Sequence, residues 1–244
     1  MPSETTIANA NKSPISVINK PKSDSMAENN DQPNVFVSRH PLVQAKLSIM
    51  RNKQSDCMLF RELTNELSLL LGYEATADLQ TRSLGVKQET DFGVYDPVTL
   101  NDSVALIPVM RAGLGLLAPF QTLLPTAACF HLGIFRDPVT KQPVEYYNRL
   151  PVECRHQVAI ILDAMLATGG TVMSVIKQVK EWGGDGLRSI KVVCLCASKQ
   201  AIDRITKAYP SVQVYTAAID DQVNDDGYIV PGLGDAGDRM YRTK

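Results

Sequence analysis

The chain has almost no surplus charge of either sign, with 25 lysines and arginines against 26 aspartates and glutamates. A protein that coats nucleic acid or an anionic membrane surface carries a basic excess, so those partners are not expected, although a local basic pocket for phosphates remains compatible with the balance. Long apolar runs are missing too: none approaches the roughly 18 residues that span a bilayer. The opening Met1-Pro2-Ser3-Glu4 lacks the basic-then-apolar order of a secretory signal. The five cysteines, Cys57, Cys129, Cys154, Cys194 and Cys196, form no C-x-x-C pair and no zinc spacing. They read as reduced structural thiols, which suits a reducing, cytoplasmic compartment. Cys194 and Cys196 stand two apart on an expected strand and are expected on one face.

Apolar periodicity is also absent over residues 1–32, which are rich in Ser, Asn, Lys, Pro and Asp. That stretch reads as a disordered polar tail, with a single domain over 33–244. From His40 the pattern changes. Pro41 suits a first helical position, and Leu42, Leu47 and Met50 begin an apolar face. A second helix is predicted over about 56–71 from Leu59, Leu63, Leu67 and Leu70, capped by Asp56. Strands are predicted over 104–109, 127–135, 158–162, 190–196 and 212–217, separated by helix-length segments. That alternation predicts an α/β fold with a parallel sheet and helices on both faces. Residues 137–151, with three prolines and Tyr146-Tyr147, suit an exposed β-arm.

The most informative segment is 163–171, DAMLATGGT, between a fully apolar strand, VAIIL, and a helix start. Gly169 and Gly170 let backbone approach a ligand, and helix-start N–H groups favour an anion. Thr168 and Thr171 add hydroxyl donors. Asp163 would repel a phosphate, so it suits ribose hydroxyls or magnesium. A T-G-G-T turn alone is as well explained by a capped helix; the strand–acid–loop–helix context decides for a ligand. No Gly-Lys-Ser/Thr follows, so this is not a Walker loop. Gly113-Leu114-Gly115 and Gly232-Leu233-Gly234 mimic dinucleotide fingerprints. The first lacks a ribose-binding acid at a second strand, and the second has no room for a βαβ unit. His131 and His156 read as structural histidines.

Segment 163–171 resembles the signature that binds 5-phosphoribosyl-1-diphosphate (PRPP) in type I phosphoribosyltransferases, in the version of the uracil phosphoribosyltransferase family. The resemblance extends over His40-Pro41-Leu42-Val43, the run YEATADL at 73–79, Arg111-Ala112-Gly113-Leu114-Gly115 and the run GYIVPGLGDAGD at 227–238. It implies a Rossmann-like phosphoribosyltransferase fold with N-terminal helices and a projecting β-arm. The implied activity is pyrimidine salvage, from PRPP and uracil to UMP and pyrophosphate. Arg111 and Arg136 would hold diphosphate, and Asp163 the ribose hydroxyls. The rest of the PRPP loop is Ala164, Met165, Leu166, Ala167, Thr168, Gly169, Gly170 and Thr171, of which 167–171 would take the 5′-phosphate. Ile229, Gly234, Asp235 and Ala236 would frame uracil, with Asp235 also against PRPP and a candidate for the N1 proton. Magnesium would ride on PRPP, GTP is a further expected activator, and a homo-oligomer, dimer or tetramer, is expected. The alternative is a non-catalytic regulator or interaction protein on the same fold. The family usually has Pro where this chain has Ala164 and often Ser where it has Thr171; the loss of Pro predicts a less constrained loop.

Overall fold

A computed structural model of the chain describes residues 33–136 and 143–243. The expected polar tail, the arm tip at 137–142 and the side chain of Arg136 lie outside the described residues. Among the described residues the main sheet has eight strands, of which seven lie in one row: β1 (Val35–Val37), β2 (Val104–Met110), β3 (Leu132–Arg136), β4 (Pro143–Asn148), β5 (Val158–Leu162), β6 (Ser189–Cys194) and β7 (Gln213–Thr216); the eighth, Ala128–Cys129, pairs with β2 off this row. The order in the row is β1-β7-β6-β5-β2-β3-β4, parallel throughout except for β4, which returns antiparallel beside β3 as the expected arm. β5 is central because every one of its residues is apolar and buried. It pairs on one side with β2, Val158 opposite Val104, and on the other with β6, Val158 opposite Ser189. A strand hydrogen-bonded at both edges and covered on both faces favours a continuous apolar run, and any polar side chain on it needs a buried partner.

The pleat sends alternate residues to two cores. Leu106, Ile160, Leu162 and Val193 pack with helices α1 (Pro41–Arg51), α2 (Cys57–Ala75) and α3 (Leu114–Leu123). Ile107, Ala159, Ile161 and Val192 pack with α4 (Gly170–Gly183) and α5 (Lys199–Ala208). The expected three-layer α/β fold is therefore present. In α1 the buried face is Val43, Leu47 and Met50, whereas Leu42 points outward. Asp56 caps α2 by accepting from the Leu59 N–H at 2.8 Å. This helix runs past the expected end to Ala75; Gly72 sits inside it where a Cβ would lie 2.6 Å from Leu123 of α3.

Several expected strands break. The 127–135 run divides into Ala128–Cys129 and β3, with Phe130 and His131 between. The 190–196 run stops at Cys194, and a new strand, Cys196–Ser198, pairs with Met165–Leu166 and with Ile219–Asp220. Cys194 and Cys196 consequently do not share a face: Cys194 lies in the α4/α5 core and Cys196 in the opposite one. The kink at Leu195 breaks the alternation that the spacing assumed. Edge strand β1 was not expected, and residues 81–100 form two small hairpins.

The YEATADL run has a structural explanation. Glu74 accepts from Ser38 Oγ at 2.6 Å. Asp78 pairs with Lys191, a wholly buried lysine on β6 that also donates to the Ala75 carbonyl at 2.7 Å. The C-terminal end of α2 is thereby bolted to the sheet. Lys191 is wholly buried while Asp78 is 43% exposed, so Asp78→Ala, which leaves the buried charge with only the Ala75 carbonyl, should cost about 1–3 kcal/mol, and Lys191→Met, which removes the charge itself, should cost less. Denaturant melts of the two variants check this order; a Lys191→Met protein less stable than Asp78→Ala would contradict it.

Candidate active site

After β2 the chain turns into α3 on one face of the sheet, and after β5 it turns into α4 on the other. Where neighbouring parallel strands send their connections to opposite faces, a crevice opens at their C-terminal ends, and ligands bind there. The two loops are in direct contact. A Cβ on Gly113 would lie 2.1 Å from the Leu162 carbonyl and 2.6 Å from that of Val109, so only glycine fits. The Met110–Arg111 peptide is cis.

In the loop after β5, carbonyl after carbonyl is drawn back into protein. That of Ala164 accepts from Leu195 N at 3.0 Å, that of Ala167 from Ser198 Oγ, that of Thr168 from Arg204 Nη1 at 2.6 Å, and that of Gly169 from Met173 N at 3.0 Å. Gly169 has φ +80°, and a Cβ there would come within 3.3 Å of Ala201 Cα. The first-turn N–H groups of α4 have no intrahelical acceptors, and with the helix dipole they make an anion seat. Asp163, Met165, Ala167 and 168–171 line a small hollow of about 60 Å³ there. Ala164 is buried, and its bonded carbonyl supplies a constraint where the family more often has proline.

Asp163 stands at the strand end, partly accessible at the mouth of this hollow. Burial pushes its carboxyl up to about 7, against the pull of the Met165 and Ala164 N–H groups. It is poised between charged and neutral forms near physiological pH.

Arg111, half exposed, reaches the C-terminal segment rather than the phosphate loop. It donates to Asp238 Oδ1 and to Thr243 Oγ1, each at 3.2 Å, and Thr243 donates to the same Asp238 oxygen at 2.5 Å. Helix α6 (Ala236–Tyr241) starts beside it, capped by Asp235, whose carboxylate accepts the Asp238 N–H at 2.9 Å. A cavity of about 180 Å³ brings the halves of the site together. Its walls are Ala112 from the β2 loop, Met165 and Ala167 from the phosphate loop, and Tyr228, Ile229 and 234–237 from the C-terminal run. Ile229, Gly234, Asp235 and Ala236 thus meet the residues expected to hold the sugar and phosphate.

His156 lies at the far end of the sheet, just before β5, with its Nδ1 2.8 Å from Ser103 Oγ; burial lowers its pKa. His131 sits beside Cys129. Neither borders the cavity.

Three residues near the site were not read from the sequence. Arg51, at the end of α1, makes a two-pronged pair with Asp220 at 2.7 and 2.8 Å. Arg239 donates to the carbonyls of Met50, Leu233 and Asn52 at 2.8–2.9 Å and lies 4.3 Å over the Phe60 ring. Asp220 is buried, yet its pKa is lowered: the upward push of burial is outweighed by hydrogen bonds from Arg51, Cys196 and the Gly232 N–H. The available signal was weak: an acid just beyond an apolar strand, at the sheet end where ligands bind.

The uracil phosphoribosyltransferase family model matches residues 37–243. The uracil phosphoribosyltransferase of Roseiflexus castenholzii is 44% identical over 209 residues, covering 86% of this chain and 98% of that relative. That of Alkaliphilus metalliredigens is 43% identical over 211 residues, covering 86% and 99%. Among solved structures, the AQ2163 protein of Aquifex aeolicus superposes with a TM-score of 0.78 at 31% identity, over 86% of this chain and 99% of that one.

The raised pKa of Asp163 has a consequence for stability. The folded state binds this proton more tightly than the unfolded state, so stability falls as pH rises from about 4 to about 7, and the penalty is complete above that. Asp163→Asn should therefore melt higher than wild type at pH 8, and the advantage should shrink toward pH 4. Melting curves of both proteins from pH 4 to 8 test it; curves that stay parallel across the range would show that the carboxyl is not held in this way.

Proposed function

The chain belongs to the uracil phosphoribosyltransferase family, and on that footing we propose that it transfers the 5-phosphoribosyl group of PRPP to N1 of uracil, yielding UMP and pyrophosphate in pyrimidine salvage. The observation that carries this is the shared cavity, in which a glycine-rich C-terminal wall meets the phosphate loop. A base on that wall lies next to a sugar whose phosphate sits at the α4 N-terminus.

The chemistry asks little of side chains as acids or bases. As diphosphate leaves C1, positive charge develops on the ribose and negative charge on the leaving group. Preorganised charge and orientation are what the protein supplies. Arg111 swings or stretches from Asp238 to the diphosphate, with Arg136 as a second contact. Asp163 in its charged form accepts from ribose hydroxyls, and Ala167, Thr168, Gly169, Gly170 and Thr171 seat the 5′-phosphate. Uracil N1 attacks from the opposite face with inversion, and Asp235, whose carboxylate also caps α6, is the candidate acceptor for its proton. Ile229, Gly234 and Ala236 read the base edge with backbone groups.

Magnesium would be carried by the PRPP oxygens: the loop after β5 opens with the single acid Asp163 rather than two, a donor set that would suit an ion held mainly by substrate phosphates and water. Such an ion would neutralise charge on the leaving diphosphate. GTP activation is carried over from the family resemblance. No helix among the described residues is long and apolar enough to cross a membrane, and a cytoplasmic location rests on the reduced-thiol pattern. A homo-oligomer, dimer or tetramer, is favoured by the 81–100 hairpins, where Val86, Phe92, Val94 and Val98 are each more than half exposed.

Two measurements follow. The hairpin surface should hold subunits together, so sedimentation should give a dimer or larger for wild type and a smaller species for Phe92→Glu; a wild-type monomer at micromolar concentration would remove the oligomer. In turnover with saturating magnesium–PRPP, uracil and 5-fluorouracil should react, while cytosine, whose donor and acceptor are reversed along the edge, should fall behind by roughly 10⁴-fold in kcat/KM. Chelating the magnesium should stop the reaction, and added GTP should raise the rate. Cytosine within about tenfold of uracil would overturn the backbone reading of the base.

A further inference from the structure

One ion pair connects the base-reading wall to the phosphate loop. Both peptide groups of Gly232 are held by it: the Gly232 N–H donates to Asp220 Oδ2 at 3.0 Å, and the Gly232 carbonyl accepts from Arg51 Nη1 at 2.8 Å. Arg51 in turn grips both Asp220 oxygens. Gly232 has φ +56° and packs so closely on Ile229 that a Cβ would lie 2.2 Å from the Ile229 carbonyl. Wherever Asp220 and Arg51 put Gly232, Ile229 on one side and Gly234 on the other must follow. The other end of the connection is equally direct. Asp220 ends the short strand Ile219–Asp220, opposite Ser198, in a ladder that continues from Cys196 to Met165 in the phosphate loop. Cys196 adds its thiol to Asp220 Oδ2 at 3.2 Å.

We infer that Asp220 and Arg51 are positioning residues that set the register of the base-reading turn against the phosphate loop, and so decide how well uracil is bound and told apart from other bases. Neither lines the cavity read as the substrate site. An exposed pair would do this poorly, because it would be mobile and screened; Asp220 is 8% exposed, and the two-pronged geometry fixes both partners in a plane. The phosphate seat has its own ties, to Ser198, Arg204 and Leu195, so it stays formed when the pair is lost.

This rests on reading 229–237 as the base wall. The experiment measures KM for PRPP and for base, with kcat, across uracil, 5-fluorouracil and cytosine, for wild type, Asp220→Ala, Asp220→Asn and Arg51→Lys. In Asp220→Ala we expect the uracil KM to rise roughly tenfold or more and the uracil-over-cytosine ratio to fall by a similar factor, while the PRPP KM stays within about twofold. Asp220→Asn, which keeps an acceptor for the Gly232 N–H, should recover part of the loss. An unchanged uracil KM and selectivity would overturn the inference, and so would uracil and PRPP KM values rising in step, the signature of general loosening. Should Asp220→Ala fail to fold, Arg51→Lys carries the same contrast, since it keeps the charge but loses the fork to the Gly232 carbonyl. If wild type prefers a base other than uracil, the functional reading falls, while the positioning role stands or falls on the same KM split measured with that base.

Discussion

The structure depends on the meeting of two strand ends, β2 and β5, whose chains leave to opposite faces. Their parallel pairing brings the Arg111 turn against Leu162, the residue before Asp163. The contact is so close that Gly113 cannot carry a side chain. Around that junction lie the N-terminus of α4, Asp163, the Arg111 turn on the neighbouring loop and the C-terminal run that closes the cavity. Rigidity here comes from burial on both faces, because β5 exposes nothing that could relax.

A second theme is that the site is held by backbone ties more than by side chains acting alone. The phosphate loop gives its carbonyls to Leu195, Ser198, Arg204 and Met173, which turns its donor side to the crevice. Arg239 and Arg51 do the same for the C-terminal wall, each collecting main-chain carbonyls from distant parts of the chain. Arginine suits this task because its planar fork offers several donors in fixed directions and stays charged. Main-chain ties of this kind fix the walls of the cavity without adding charge to its floor.

Asp163 shows the opposite bargain. Its burial makes the charged form unfavourable. A carboxyl held this way at a strand end, beside a helix N-terminus, costs stability, a common arrangement where polar groups are pre-positioned at a crevice.

Periodicity and glycine placement made much of this legible in the sequence. The apolar run at 158–162 marked the central strand because a strand covered on both faces admits no alternation, and the DAMLATGGT run marked the loop that leads from this strand into a helix start because its acid and paired glycines stand between the two. Asp56 and Gly169 behaved as local chemistry dictates, since caps and left-handed positions depend on near neighbours. Long-range pairing was not legible. The kink at Leu195 that parts Cys194 from Cys196, the edge strand β1, the burial of Lys191 and the Arg51–Asp220–Gly232 connection each join residues far apart in the chain. The sequence alone determined the layer architecture, the central strand and the phosphate loop, because these follow from spacings of a few residues. Only the tertiary structure decided which charged groups are buried together and which backbone they hold, because a partner 169 residues away leaves no periodic trace in the chain.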